Sequence, residues 1–231
     1  MRSARAVFVK QARDVLRNRM VLIQFILFPI MALILTELVA KSDDEIPATM
    51  FVTMFAAIFA GMTPLMATST AIAEDREHKS LRFLVMAGVR PVEYLLGVGG
   101  FILLICSMVA VAFGLIGGFA GVELVRFVGV IILGCLASSL LGATVGIFSK
   151  NQQASTAMGT PIAMLLAFCP MLAMFNETIS KVAGVLYTLQ VDAVVSGTSD
   201  NLTHAFLIIA ANIVVLAVLF VLAYRKKGLR S

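Results

Sequence analysis

The chain has 231 residues, 60% of them hydrophobic and 13% charged, with a net charge of +5 and a mean hydropathy of +1.00. A water-soluble domain cannot hide so much apolar surface, and the length leaves room for one membrane domain with brief connections. The odd count of three cysteines, Cys106, Cys135 and Cys169, all within apolar runs, suggests neither a disulfide framework nor a metal cluster.

Residues 1–19 precede the first apolar run. At 3.6 residues per turn, Ala4, Phe8, Ala12 and Val15 share one face while Arg2, Lys10, Arg13 and Arg17 gather on another. This predicts an amphipathic interfacial helix lying in the headgroup layer with its aromatic inward, or an anchor that only sets topology. The first apolar run is long and lacks a small-residue cleavage site, so no cleavable signal peptide is expected.

Every backbone N–H and C=O must be satisfied within the protein in a bilayer, so runs of about 20 apolar residues read as spanning helices. Residues 20–231 then form a six-span, all-α domain with spans at Met20 to Ala40, Ala48 to Ala73, Tyr94 to Ala120, Phe127 to Phe148, Ala154 to Phe175 and Ala205 to Tyr224. Of the 18 Lys and Arg, only Lys41, Arg126 and Lys181 fall on one side, among a larger number of acids. The other side is therefore cytoplasmic and holds both termini. The positive charge lies along a membrane surface, which makes anionic lipid the expected partner and nucleic acid none.

On the second span Phe51, Phe55, Phe59, Met62 and Met66 recur at helical spacing beside Thr63, a large soft face suited to varied hydrophobic cargo or to plain packing. The connection that follows, residues 74–93, is the most charged. It reads as a short helix with Glu74, Asp75 and Glu77 in its first turn, Leu81, Leu84 and Val85 on an apolar side, and Gly88 and Pro91 to end it. Such a helix is shaped to seat in a groove of a soluble partner, and a solvated charged loop is the plainer alternative.

Farther along, Gly134, Ser138, Gly142 and Gly146 step by four along the fourth span and allow close approach of another helix. Pro161 and Pro170 fall in the fifth span, where they favour kinks that are gating machinery or plain geometry. The segment 176–203 is apolar but broken, and one or two short outer-leaflet helices are expected there. Ionisable residues within the spans are scarce, which argues against proton-driven exchange. Neither a catalytic constellation nor a metal site emerges.

In residues 75–97 the chain resembles the ABC-2-type permeases, the membrane subunits of ATP-binding-cassette exporters. Their approximate pattern of Glu-Arg-Glu-x-Gly-Thr-Leu, then Pro-Val, then Leu-Leu-Gly is matched by Asp75-Arg76-Glu77-His78-Lys79-Ser80-Leu81, by Pro91-Val92 and by Leu95-Leu96-Gly97. The departures are Asp75 for Glu, Ser80 for Thr and Lys79 for Gly, the last bearing on the local turn. The resemblance extends to the six-span layout, the amphipathic N-terminal helix and the Phe148 to Gln153 joint.

It implies that the 74–93 loop is a coupling helix gripping an ATPase subunit, with Asp75, Arg76, Glu77 and Ser80 as polar contacts and Leu81 as an apolar one. It places the second and fifth spans around the translocation path, and it implies a second permease copy or paralogue. Mg-ATP would sit on the partner ATPase, since no G-x-x-x-x-G-K-[ST] occurs here and this chain binds no cofactor of its own. The expected function is export of a hydrophobic or amphipathic drug, antimicrobial peptide or lipid-like molecule. A stand-alone carrier or channel needing no ATPase is the alternative.

Overall fold

The computed structural model describes residues 2–40, 42, 46–80, 86, 88–199 and 201–227. The regular structure among these residues is all helical, with no strand. Helix α1, Arg2–Arg17, leads into α2, Arg19–Leu35, which ends in a π-helical turn over Thr36–Ala40. Next come α3 (Met50–Glu77), α4 (Pro91–Ile116), α5 (Gly121–Phe148) and α6 (Gln152–Phe175). The chain closes with α7 (Glu177–Ala183), α8 (Tyr187–Val195) and α9 (Leu202–Lys227). Helix α2 together with its π-helical turn, and α3, α4, α5, α6 and α9, are each long and apolar enough to cross a membrane.

Helix α3 is the hub. In its most apolar stretch 72% of residues are buried, against 17% in α2 and α9, which turn most of their surface outward. Its principal neighbours are α5 and α6. Against α5 the approach is limited by glycine: a Cβ on Gly142 would meet the Leu65 carbonyl oxygen, and one on Gly146 would lie 2.7 Å from the Ser69 carbonyl oxygen. Between these and Gly134, Ser138 donates its hydroxyl to the Ala60 carbonyl and shares a 2.7 Å hydrogen bond with the Tyr187 hydroxyl of α8. All four small residues of the stripe thus face α3 or α8, where close backbone packing replaces the hydrophobic driving force that lipid does not supply.

Three expectations change in the folded chain. Helix α1 turns Val7, Gln11 and Val15 inward, and Phe8 packs edge-on to Phe101 of α4 at 5.4 Å, so its aromatic meets protein. The buried face shares Val15 with the predicted stripe and is rotated by one residue at Val7 and Gln11, toward the apolar surface that α4 supplies. Second, both Pro161 and Pro170 lie inside one helix, α6, that runs from Gln152 to Phe175, so the fifth span carries its prolines without being divided into two helices. Third, α3 continues four residues beyond Ala73, making Glu74–Glu77 its last turn and not the start of a separate loop helix. The broken 176–203 segment resolves into α7 and α8, bent by 106°. Asn176 starts α7 by accepting the Thr178 amide at 2.9 Å, and Asn212 of α9 holds the bend through the Val185 carbonyl at 2.8 Å.

Candidate functional site

The last turn of α3 is where most of the described polar tertiary contacts converge. Asp75, 2% exposed, accepts hydrogen bonds from Lys10 Nζ of α1 and from the Tyr94 hydroxyl of α4, the latter at 2.8 Å. Lys10 also lies 3.6 Å from Asp14, one turn on. Burial works against the Lys10 ammonium, but Asp75, with help from Asp14, outweighs it and holds its pKa above the usual lysine value.

Arg76 points the other way. Its guanidinium donates to the carbonyls of Ile147 and Ser149, the latter at 2.8 Å, where α5 ends. Those carbonyls have no helical partner at a C-terminus, so a cation there is favoured by hydrogen bonding and by the helix dipole. Glu74 accepts from the Gln152 side chain at 2.8 Å and Glu77 from the Gln152 backbone amide at 3.2 Å, so two carboxylates hold the N-terminus of α6. Asn151 caps the same helix by accepting the Ala154 amide at 2.8 Å. Four consecutive side chains of α3 thereby bind α1, α4, α5 and α6.

Of the residues expected to touch a partner, Asp75 is buried and Arg76 is turned onto α5, while Ser80 is partly buried beyond the helix end. Leu81, with Leu84 and Val85, lies outside the described residues. Lys79 adopts a left-handed backbone with φ of 58°, and its amide bonds to the Arg76 carbonyl at 2.9 Å. It stands at the position just past a helix end that glycine usually fills, so the turn survives the departure from the family pattern. Lys79→Gly should therefore stabilise this turn by about 0.5–1 kcal/mol, the relieved strain less the entropy glycine adds to the unfolded chain. Slower amide exchange at residues 78–80 would show it; unchanged exchange would refute it.

Much of the Phe and Met face of α3 packs against neighbouring helices. Phe59, fully buried, meets Phe25, Phe28 and Phe113, with ring centroids 6.2, 6.5 and 5.7 Å away. Phe55 meets Phe28 at 6.4 Å, Met62 packs on the same core, and Met66 and Thr63 are buried. Phe51 is half-buried at the start of the stripe.

The adjacent face, Met50, Met54 and Ile58, lines a cavity of about 360 Å³ shared with Pro170, Met171 and Met174 of α6. The i, i+4, i+8 spacing of these three residues was a readable signal, overshadowed by the aromatic stripe beside it. At the other end of the molecule a cavity of about 660 Å³ opens beside the α3 terminus, lined by Lys10, Arg17, Arg19, Glu74 and Gln152 among others.

A six-span helical protein whose charged helix terminus knits four other helices, with a cavity at each end of α3, has the architecture of a transporter membrane subunit. The chain belongs to the ABC-2 family of transporter proteins, whose family model matches residues 16–225. No curated protein matches it. It is a multi-pass membrane protein, the membrane component of an ABC transporter, and is not itself catalytic.

Proposed function

We propose that the chain is the permease subunit of an ATP-driven exporter that moves a hydrophobic or amphipathic molecule out of the cytoplasm or the inner leaflet. Its basic end and both termini face the cytoplasm, in the manner of a bacterial inner-membrane protein. Two copies, or this chain and a paralogue, pair with two cytoplasmic ATPase subunits that bind Mg-ATP. The observation that carries this reading is the four-way anchoring of Glu74–Glu77.

A pull on the connection after Glu77 cannot displace α3 alone. Arg76 drags the end of α5, Glu74 and Glu77 drag the start of α6, and Asp75 engages α1 and α4. Motion of a docked ATPase is thereby distributed to five helices at once, which is what alternating access by rigid bodies requires. The docking surface is the connection itself, where Met86 stands 72% exposed between the basic residues Lys79 and Arg90. An exposed apolar anchor with flanking charges is the pattern of a helix seated in a partner's groove.

Docking and transmission separate experimentally. Met86→Glu should lower copurification of the ATPase subunit at least tenfold. Asp75→Asn should keep the ATPase bound while uncoupling its hydrolysis from transport in vesicles. Vesicles holding only this chain that accumulate solute without nucleotide would overturn the proposal.

A further inference from the structure

We propose that the cavity between α3, α6 and α8 is a binding site for a lipophilic cation, with the Asp192 carboxylate as its counter-charge. The site stands on the cavity and on Asp192, and only the identity of its ligand as transported cargo rests on the exporter reading. Met50 and Met54 of α3 and Met171 and Met174 of α6 provide the walls, and Pro170 and Phe175 complete the apolar lining. Thioether side chains are flexible and polarisable, so such walls adapt to ligands of different outline. The volume, about 360 Å³, lies in the range of small-molecule pockets.

Asp192 is the only ionisable residue among those lining the cavity. Its carboxylate has no hydrogen-bond or ion-pair partner among the described residues: the Ser196 hydroxyl bonds to its backbone carbonyl, at 2.7 Å. Asp192 also lies in the last turn of α8, which carries no basic residue. There the carboxylate is opposed by the negative pole of its own helix. Burial pushes its pKa up to about 6. Every one of these penalties is relieved by one event, the arrival of a positive charge, while the apolar body of the ligand covers the methionines. A neutral ligand would leave the charge uncompensated, and an anion would be repelled.

Charged groups on the surrounding helices do not take that place. Glu123 and Arg126 of α5 line an adjoining cavity with Val195 and Ser196, and His204 of α9 is exposed. On the facing residues of α3 and α6 the lining carries no charge.

Tetraphenylphosphonium and tetraphenylborate share a shape and differ in sign, which makes them the probes of choice for equilibrium dialysis on the detergent-purified chain. The cation should bind saturably at pH 7.5, Asp192→Asn should raise its Kd at least tenfold, and Asp192→Glu should stay within about threefold of wild type. Tetraphenylborate should bind the Asn variant better than the wild type. Lowering the pH to 5 should weaken cation binding to the wild type and leave the Asn variant unaffected, because only the deprotonated Asp192 attracts it.

Equal cation affinity in wild type and a folded Asn variant would overturn the proposal, as would equal affinity of wild type for the two probes, which would make the cavity an apolar slot for an acyl chain or a second copy of the chain. Since no ATPase enters this experiment, its failure leaves the exporter reading standing. Nucleotide-independent accumulation by vesicles holding only this chain would in turn overturn the exporter reading and leave the cation site standing.

Discussion

Replacing Lys10 by Met should abolish transport and destabilise the protein by about 3–5 kcal/mol, more than Asp75→Asn destabilises it. The asymmetry follows from burial. Asp75 is 2% exposed, whereas the Lys10 side chain keeps 45% of its surface accessible. Removing Lys10 strands a carboxylate in the interior with the Tyr94 hydroxyl as its remaining described side-chain partner, and an uncompensated buried charge costs about 3–5 kcal/mol. Removing the charge from Asp75 leaves Lys10 free to turn to solvent and toward Asp14, and leaves an amide that can still accept from Tyr94. That costs about 1–2 kcal/mol, the worth of a charge-assisted hydrogen bond weakened to a neutral one.

Melting midpoints of the purified variants would rank the two, and the double variant Lys10→Met, Asp75→Asn should recover much of the loss because no buried charge is then unpaired. A double variant as unstable as Lys10→Met alone would show that the junction is held by packing and not by charge. Proton linkage adds little at ordinary pH. The raised Lys10 value means that its contribution is fully present below the usual lysine pKa and is lost only as pH rises through the raised one.

The position of this junction was legible in the sequence, but its direction was not. A charged run of acids and bases after an apolar span reads as solvated surface, since nothing local distinguishes Asp75 from its neighbours. What turns it inward are partners 65 and 73 positions away, Lys10 and the Ser149 carbonyl. A backbone carbonyl at a helix end leaves no trace in residue identity.

The partners of the aromatic stripe were hidden for a related reason. Periodicity says that one face of α3 is covered, and only the fold says that Phe25, Phe28 and Phe113 cover it. Span positions, by contrast, were readable because the bilayer imposes length and hydropathy on each helix independently of its neighbours. The early start of α5 at Gly121 was missed because Glu123 and Arg126 resemble loop residues, although a membrane helix tolerates charges in its terminal turns. Asp192 sat in a segment too broken to interpret as a span, and its significance depends on the methionines of two other helices.

The small-residue stripe of α5 was visible in the sequence as a step of four, and its close contacts with α3 support a graded prediction. Gly142→Ala should be severely destabilising, Gly146→Ala nearly so, and Gly134→Ala mild. At Gly142 the added methyl meets the carbonyl oxygen, carbonyl carbon and Cα of Leu65, all backbone of the neighbouring helix. Nothing there can swing aside, so α3 and α5 must separate along their length.

At Gly146 the methyl meets the Ser69 carbonyl oxygen at 2.7 Å and the Ile72 Cβ at 2.8 Å, again with little freedom. At Gly134 the nearest atoms are Val191 Cγ2 at 3.0 Å and Ala60 Cβ at 3.4 Å, and a few tenths of an ångström of side-chain adjustment relieves the contact. Overpacking costs about 1–3 kcal/mol where the core can adjust and more where it cannot. The Gly142 variant should therefore lose at least about 3 kcal/mol and the Gly134 variant less than about 1 kcal/mol.

Separation at Gly142 would reach further than stability. The same interface carries the Ser138 hydrogen bonds to Ala60 and Tyr187, and it ends at the Arg76 contacts with Ile147 and Ser149. Prising α5 from α3 at its middle would break the transmission at its end, so the Gly142 variant should keep ATPase copurification while losing transport, even at temperatures where it remains folded. Thermal midpoints of the three alanine variants, set beside their transport rates, test both halves of the prediction. Equal midpoints at Gly134 and Gly142 would mean that α3 and α5 do not approach as closely as their carbonyl contacts require.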